Sequence, residues 1–378
     1  MKYEIKLNRY TLKDGLSANA LSVGFKGKRT FEDIKERLIK ILKRYPLTCS
    51  KVVIENDGAF FESIDTPYVN LVEVTQSDKV WITKQYNIPL KMDEGELIRF
   101  ALVGENSFVV YYHPLLSDSR GILNFAKNVL SEDEVYDVPF YFPEIKDVKL
   151  SLVDKGVKKS LVKAKEDKIE NEIDSVKLKS VSLKSDIIFR ICSGESVTML
   201  SFFIATAISL NKTTRKKITI PYCRKDNYED QLINDSTVFS FKRGFEPRLS
   251  FYENAGEIDK LFESIISKKS YEKRAAILEE VPLNYFDNPG LRKKLFHFLE
   301  SDFQFDILPT LDEDEIINTL SFYPSSSYVK NNFGISAVNE RLTISTVLHD
   351  KVGDDFFSDF SKTINLLSKE AAKRFKNN

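Results

Sequence analysis

The stretch Phe108-Val109-Val110-Tyr111-Tyr112-His113-Pro114-Leu115-Leu116-Ser117-Asp118-Ser119-Arg120-Gly121 decides the fold. Its first five residues are continuously apolar, the pattern of a strand covered on both faces. After the loop, Ile122, Phe125, Ala126, Val129 and Leu130 recur on one face of a helix. Asp118 or Ser119 stands where a helix N-cap belongs, because short polar side chains accept the free N–H groups of a first turn. Upstream, Leu97 to Val103 pairs with Ser107 to Tyr112 as a hairpin turning at Gly104-Glu105-Asn106.

The same mixture of strands and helices extends in both directions. Phe31, Ile34, Leu38, Ile41 and Leu42 form an apolar stripe in a Lys- and Glu-rich helix that Tyr45-Pro46 stops. Lys51 to Ile54, Ala59 to Ile64 and Val69 to Val74 suit strands, and Asn56-Asp57-Gly58 marks a hairpin turn. From about Glu144 to Ser185 large apolar residues thin out and Lys alternates with Glu, as in a solvated crossover with an exposed helix. Beyond it come a strand and short helical start at Val181 to Ile191, a buried helix at Ser196 to Leu210 and a strand at Lys217 to Cys223. Ile258, Leu261, Phe262 and Ile265 then mark an amphipathic helix. Tyr328 to Ile335 and Arg341 to Leu348 read as strands, the second with Leu342, Ile344, Thr346 and Leu348 on one face. Phe357, Phe360, Ile364 and Leu367 mark the closing helix.

Composition narrows the function classes. The 378 residues are 42% hydrophobic, enough for a real core rather than a disordered chain. Lys+Arg and Asp+Glu are each 56, so the basic excess typical of a nucleic-acid binder is absent. Three scattered cysteines, Cys49, Cys192 and Cys223, form neither a disulfide framework nor a metal-ligand pattern. The charged N-terminus lacks the core of a signal peptide. The greasiest stretch, Val197 to Leu210, falls short of the roughly 20 residues of a membrane span. A cytoplasmic protein without a membrane span is expected.

The loop resembles the His-His-x-x-x-Asp-Gly signature of condensation-domain and alcohol-acetyltransferase members of the chloramphenicol-acetyltransferase-like superfamily. Other pieces follow in the family's order. Leu42-Lys43-Arg44-Tyr45-Pro46-Leu47 is similar to its Arg-His-Pro-x-Leu-Arg helix end, although the last arginine is missing. Pro89-Leu90 with Gly95-Glu96-Leu97-Ile98-Arg99 resembles its strand entry. In the second half, Ser196-Val197-Thr198 and its helix, Thr219-Ile220-Pro221-Tyr222-Cys223-Arg224, and Tyr328-Val329-Lys330-Asn331-Asn332-Phe333-Gly334 resemble a helix, an arginine-bearing strand end and a Ser-Asn-x-Gly strand. The resemblance implies an α/β fold with mixed sheets, built as two subdomains in a V with a channel between them. Residues 1–150 form one subdomain, 151–180 a crossover and 181–378 the other.

It also implies acyl transfer from a coenzyme A or phosphopantetheine thioester to a hydroxyl or amine. The partner is an acyl thioester donor, free or on an acyl or peptidyl carrier protein, and no cofactor is held permanently. Tyr112, Ser117, Asn332 and Gly334 fall on the channel. Asp118 takes the role of the loop-fixing aspartate, with Arg99, Arg190 or Arg224 as the partner arginine. The position of the catalytic histidine is Pro114, which has no titratable group. His113 is the remaining catalytic candidate, yet neighbouring side chains on a strand point to opposite faces, so it should face away from the base's place unless a bulge re-aims it. A structural histidine at a strand end is the competing reading, and a catalytically silent binding or partner protein on the same scaffold is the competing function. An unrelated two-domain α/β protein is the third.

Other motifs have simpler explanations. Gly24-Phe25-Lys26-Gly27-Lys28-Arg29-Thr30 has its glycines too close for a phosphate-binding loop. Asp312-Glu313-Asp314-Glu315 before Ile316-Ile317 fits the positive end of a helix. His297 and His349 have no metal-site neighbours, and Ser325-Ser326-Ser327 reads as a loop.

Overall fold

The computed structural model describes residues 2–5, 8–14, 17–56, 58–132, 176–210, 214–223, 236–268, 299–311, 315–348 and 351–376, with isolated positions between 278 and 287. Along the chain run β1 (Lys2–Glu4), β2 (Asn19–Phe25), α1 (Phe31–Leu42), β3 (Ser50–Glu55), β4 (Gly58–Ser63), β5 (Leu71–Val74), α2 (Asp78–Gln85), β6 (Ile98–Val103), β7 (Ser107–Tyr112) and α3 (Ser119–Leu130). The second half holds β8 (Lys177–Lys184), α4 (Ser185–Gly194), α5 (Met199–Ser209), β9 (Lys216–Cys223), β10 (Ser236–Arg243) and α6 (Phe251–Ser267). It ends with β11 (Ser301–Ile307), β12 (Ile317–Tyr323), β13 (Val329–Val338), β14 (Arg341–Leu348) and α7 (Lys351–Lys376). The chain is thus α/β with mixed sheets, as its sequence predicts.

Local chemistry explains the elements that matter. Thr30 and Asp33 cap α1 reciprocally, satisfying two N–H groups that helix geometry leaves open. The hairpin β6–β7 turns at Gly104, whose φ of 59° suits a residue without a Cβ. Phe100 of β6 stacks on Phe108 of β7 and on Phe125 of α3, with centroids 5.8 and 5.9 Å apart. Each such buried ring contributes about 1.5–3 kcal/mol of hydrophobic stabilisation. These contacts fix the strand and helix that flank the motif loop.

Among the described residues there are three sheets: β1-β4-β3, β12-β2-β7-β6-β5 and β10-β9-β11-β13-β14-β8. The larger two are mixed, since β5–β6, β9–β11 and β11–β13 are parallel. β12 belongs by sequence to the second half but pairs antiparallel with β2 of the first, Tyr323 opposite Ala20. The two large sheets touch where β12 crosses β13: Ser336 Oγ donates to the Leu320 carbonyl at 2.7 Å, and a Cβ on Gly334 would land on the Phe322 carbonyl oxygen. One core lies under α1 and α3, and a second lies under α4, α5, α6 and α7. A third joins the halves, with Trp81, Tyr86 and Tyr111 packed alongside Tyr323 and Val347.

The acidic run predicts a helix start at Ile316-Ile317, but Ile317 opens strand β12; pairing with β2 in the first half of the chain overrides the acidic run before it. Residues 312–314 of that run, His297, His349 and Arg224 lie outside the described residues. Of the expected crossover, only residues 176–185 are described, and 177–184 are already strand β8. β14 carries Leu342, Ile344, Thr346 and Leu348 on one face as expected, and its other face is buried as well, with Val347 packed alongside Tyr323 of β12. Among the described residues no single helix is long and apolar enough to cross a membrane. α4 and α5 pass that test only as a pair bent by 91°, and their apolar residues fill the second core.

Candidate functional site

At the end of β7 the chain turns sharply: the Leu116 N–H donates to the His113 carbonyl at 3.0 Å. Asp118 then caps α3, accepting from the Gly121 N–H at 2.9 Å. This turn places Pro114, Ser117, Asp118, Ser119 and Arg120 on the wall of a cavity of about 260 Å³. The first half adds Tyr10, Thr11, Ser17 and Asn19. The second half adds Tyr222 of β9, Gln304, Asp306 and Ile307 of β11, and Ser325-Ser326. Both halves of the chain therefore build it. Asp14 ties them together at its edge, accepting from Ser326 Oγ at 2.8 Å and from the Ser327 N–H at 3.1 Å.

Asp306 is the acid that sequence reading did not single out. Ser119 Oγ donates to Asp306 Oδ1 at 2.8 Å across the boundary between the halves. Burial pushes the Asp306 carboxyl up to about 7, the Ser119 hydrogen bond pulls against that, the Asp118 charge adds to it and Arg120 opposes it. Tyr112, fully buried behind the loop, receives Asn19 Nδ2 on its hydroxyl at 3.5 Å. Burial and the nearby Asp306 and Asp118 charges hold its phenol well above the usual range. The signal for Asp306 was present in the alternation Asp302-Phe303-Gln304-Phe305-Asp306, which sets one polar face on a strand. Its chemistry comes from Ser119, 187 positions earlier, and that no local pattern reveals.

His113 is not on the cavity wall. It is buried, its Nδ1 accepts from the Leu115 N–H at 3.2 Å, and it hydrogen-bonds the Thr11 backbone. Burial pulls its pKa down to about 4, so the ring is neutral at physiological pH. A neutral imidazole has one acceptor nitrogen, and here Leu115 occupies it.

The remaining expected site residues separate into two groups. Pro114, Ser117 and Asp118 line the cavity. Arg99 does not: its guanidinium is held by Glu96 at 2.6 and 2.9 Å and by the Ile88 and Pro89 carbonyls at 2.7 and 2.6 Å. Burial would raise the Glu96 carboxyl, but bonds from Arg99, Asn70 and the Lys91 N–H hold it below its ordinary value. Arg190 lies exposed on α4. Asn332 is buried in β13 with its Nδ2 on the Val329 carbonyl at 3.3 Å, and Gly334 serves the crossing with β12. Among the described residues no group of three or more His, Cys, Asp or Glu side chains is placed to hold a metal ion.

No protein-family model matches this sequence, and no curated protein sequence does either. Solved structures do match. The first condensation domain of the CDA synthetase superposes with a TM-score of 0.70 at 11% identity, over 98% of this chain and 96% of its own. The starter condensation domain of rhizomide synthetase, solved as a mutant with C8-CoA and Leu-SNAC, gives 0.64 at 11% over 97% and 95%. Polyketide synthase associated protein 5 from Mycobacterium tuberculosis gives 0.63 at 11% over 98% and all of its length. The chain therefore has the fold of these condensation domains.

Proposed function

We propose that the protein binds an acyl thioester, on coenzyme A or on the phosphopantetheine of an acyl or peptidyl carrier protein, and transfers the acyl group to a hydroxyl or amine without a histidine base. The observation that carries this reading is the cavity built by both halves at the motif loop, with Pro114 and Asp118 on its wall. Supporting it is the solved rhizomide synthetase domain, a structure of the same fold in complex with C8-CoA. The polar wall gives an acceptor hydrogen-bond partners, and a concave site of this size fits the reacting end of a thioester.

A second reading, a silent binding or partner protein, draws support from the placement of His113, whose acceptor nitrogen is committed to Leu115. Calorimetric titration of octanoyl-CoA into the wild type and into Val238→Trp, which fills the cavity, tests the first reading. Binding by the wild type, weakened at least about tenfold in the variant, is expected. No binding by the wild type refutes it. Binding without release of free thiol favours the silent protein.

A further inference from the structure

Histidine supplies the base in the resembled family, and here that position is Pro114. The cavity nevertheless contains a titratable group in a fixed position. Asp306 reaches it from β11, next to Gln304 and Ile307 on the same wall. Its Oδ1 is held by Ser119 Oγ at 2.8 Å, and Ser119 directly follows Asp118, the N-cap of α3. The carboxylate is thus anchored to the motif loop by one oxygen, and the loop is anchored to α3 and β7. A base must be held within reach of the proton it removes, and this linkage between the halves does that.

We propose that the Asp306 carboxylate is the general base of the site, acting on the hydroxyl or amine acceptor, and that Ser119 is its positioning residue. The inference rests on the thioester-binding reading above. The carboxylate takes the proton from the acceptor O–H or N–H as the acceptor's lone pair forms a new bond to the thioester carbonyl carbon. The C–S bond then breaks, the protonated carboxyl returns its proton to the departing thiolate, and the free thiol leaves with Asp306 ionised again. Ester or amide and free thiol are the only products.

The surroundings tune this group for that work. Burial raises its carboxyl to about 7, within the range where a base is both ionised and strong enough to accept a proton near neutral pH. The charged and titratable groups facing it are Asp118 and Arg120 from the motif loop and α3, Tyr112 from β7 and Tyr222 from β9. Its partner across the parallel register of β13 is Gly334, which carries no charge. Asp118 is the only like charge among them, and it raises the Asp306 carboxyl further; Arg120 and the Ser119 hydroxyl lower it.

The experiment follows thiol release from octanoyl-CoA with ethanolamine as acceptor, alongside octanoyl-CoA binding, for the wild type, Asp306→Asn and Ser119→Ala. Asp306→Asn keeps the shape and can still accept from Ser119. It should bind octanoyl-CoA as the wild type does and lose roughly 10²–10⁴-fold in rate, the usual contribution of such a base. The wild-type rate should rise through a single ionisation near pH 7, and that limb should vanish in Asp306→Asn. Ser119→Ala removes the bond that lowers the carboxyl, so its limb should move to higher pH while a residual rate persists. An unchanged rate in Asp306→Asn overturns the proposal. So does a wild type that binds octanoyl-CoA but releases no thiol, which removes acyl transfer as well and leaves thioester binding by a silent protein. A wild type that does not bind octanoyl-CoA fails the binding reading itself.

Discussion

Asp306→Asn should stabilise the protein at neutral and alkaline pH, and the gain should shrink as the pH falls. In the fold the carboxyl is raised from 3.8 to about 7, so between those values the folded chain holds a proton that the unfolded chain has released. Stability therefore falls as pH rises from about 4 to 7, and the full penalty stands above about 7. About three units at 1.36 kcal/mol each set a ceiling of about 4 kcal/mol. The cavity gives Asp306 some access to water, which screens it, so a gain of about 2 kcal/mol in the asparagine variant is the expected size. Asparagine leaves the 2.8 Å bond from Ser119 intact, since its Oδ1 also accepts. Urea midpoints at about pH 8 and about pH 5, compared at equal slopes, measure the effect. By linkage the gain at about pH 5 should be roughly 70% of that at about pH 8 for a gain of about 2 kcal/mol, and roughly 40% of it at the ceiling. An equal gain at both pH values, or a loss at about pH 8, would show that Asp306 is not a raised acid and would remove the physical basis for its role.

Two further outcomes follow from the residues around the site. His113→Ala should cost about 1–3 kcal/mol, because it leaves the Leu115 N–H and the Thr11 backbone without their buried partner. Its ring is held down to about 4, so the wild type loses stability from this group as pH falls below about 6.5; thermal midpoints of the alanine variant should lose that slope, and an unchanged slope would contradict the burial argument. Gly334→Ala places a methyl group on the Phe322 carbonyl and against Pro324. It should destabilise by about 3 kcal/mol or more through overpacking of a crossing that has no room to give, visible as a collapsed melting temperature; a wild-type melt would mean that the two strands can part.

Much of the fold is written in local pattern. The stripe of α1 and its Thr30 cap, the Asn56-Asp57-Gly58 turn, the β6–β7 hairpin and the Asp118 cap of α3 all depend on residues within a few positions of one another, and each is legible in the sequence. What escaped notice depends on distant partners. α2 has no apolar stripe, because only Trp81 and Ile82 of its face are needed in the junction core. β12 looked like a helix start because its strand character comes from β2. The same limit applied at the site: the motif loop was readable, whereas Asp306 acquires its raised carboxyl only when the fold brings β11 against the motif loop and buries it there.

The exchange of β12 also has a consequence for the order in which the chain can be completed. Until Ile317–Tyr323 arrives, β2 is an open edge displaying the apolar run Ala20-Leu21-Ser22-Val23-Gly24-Phe25, with every second backbone group on that side unpaired. Tyr323 lies about 300 residues after its partner Ala20, so during synthesis the first sheet must wait, four strands wide and unsealed, for nearly the whole protein to emerge. A nascent chain cut short before Ile317 therefore presents a sticky edge to its neighbours, and the last strand to join is the one that seals it.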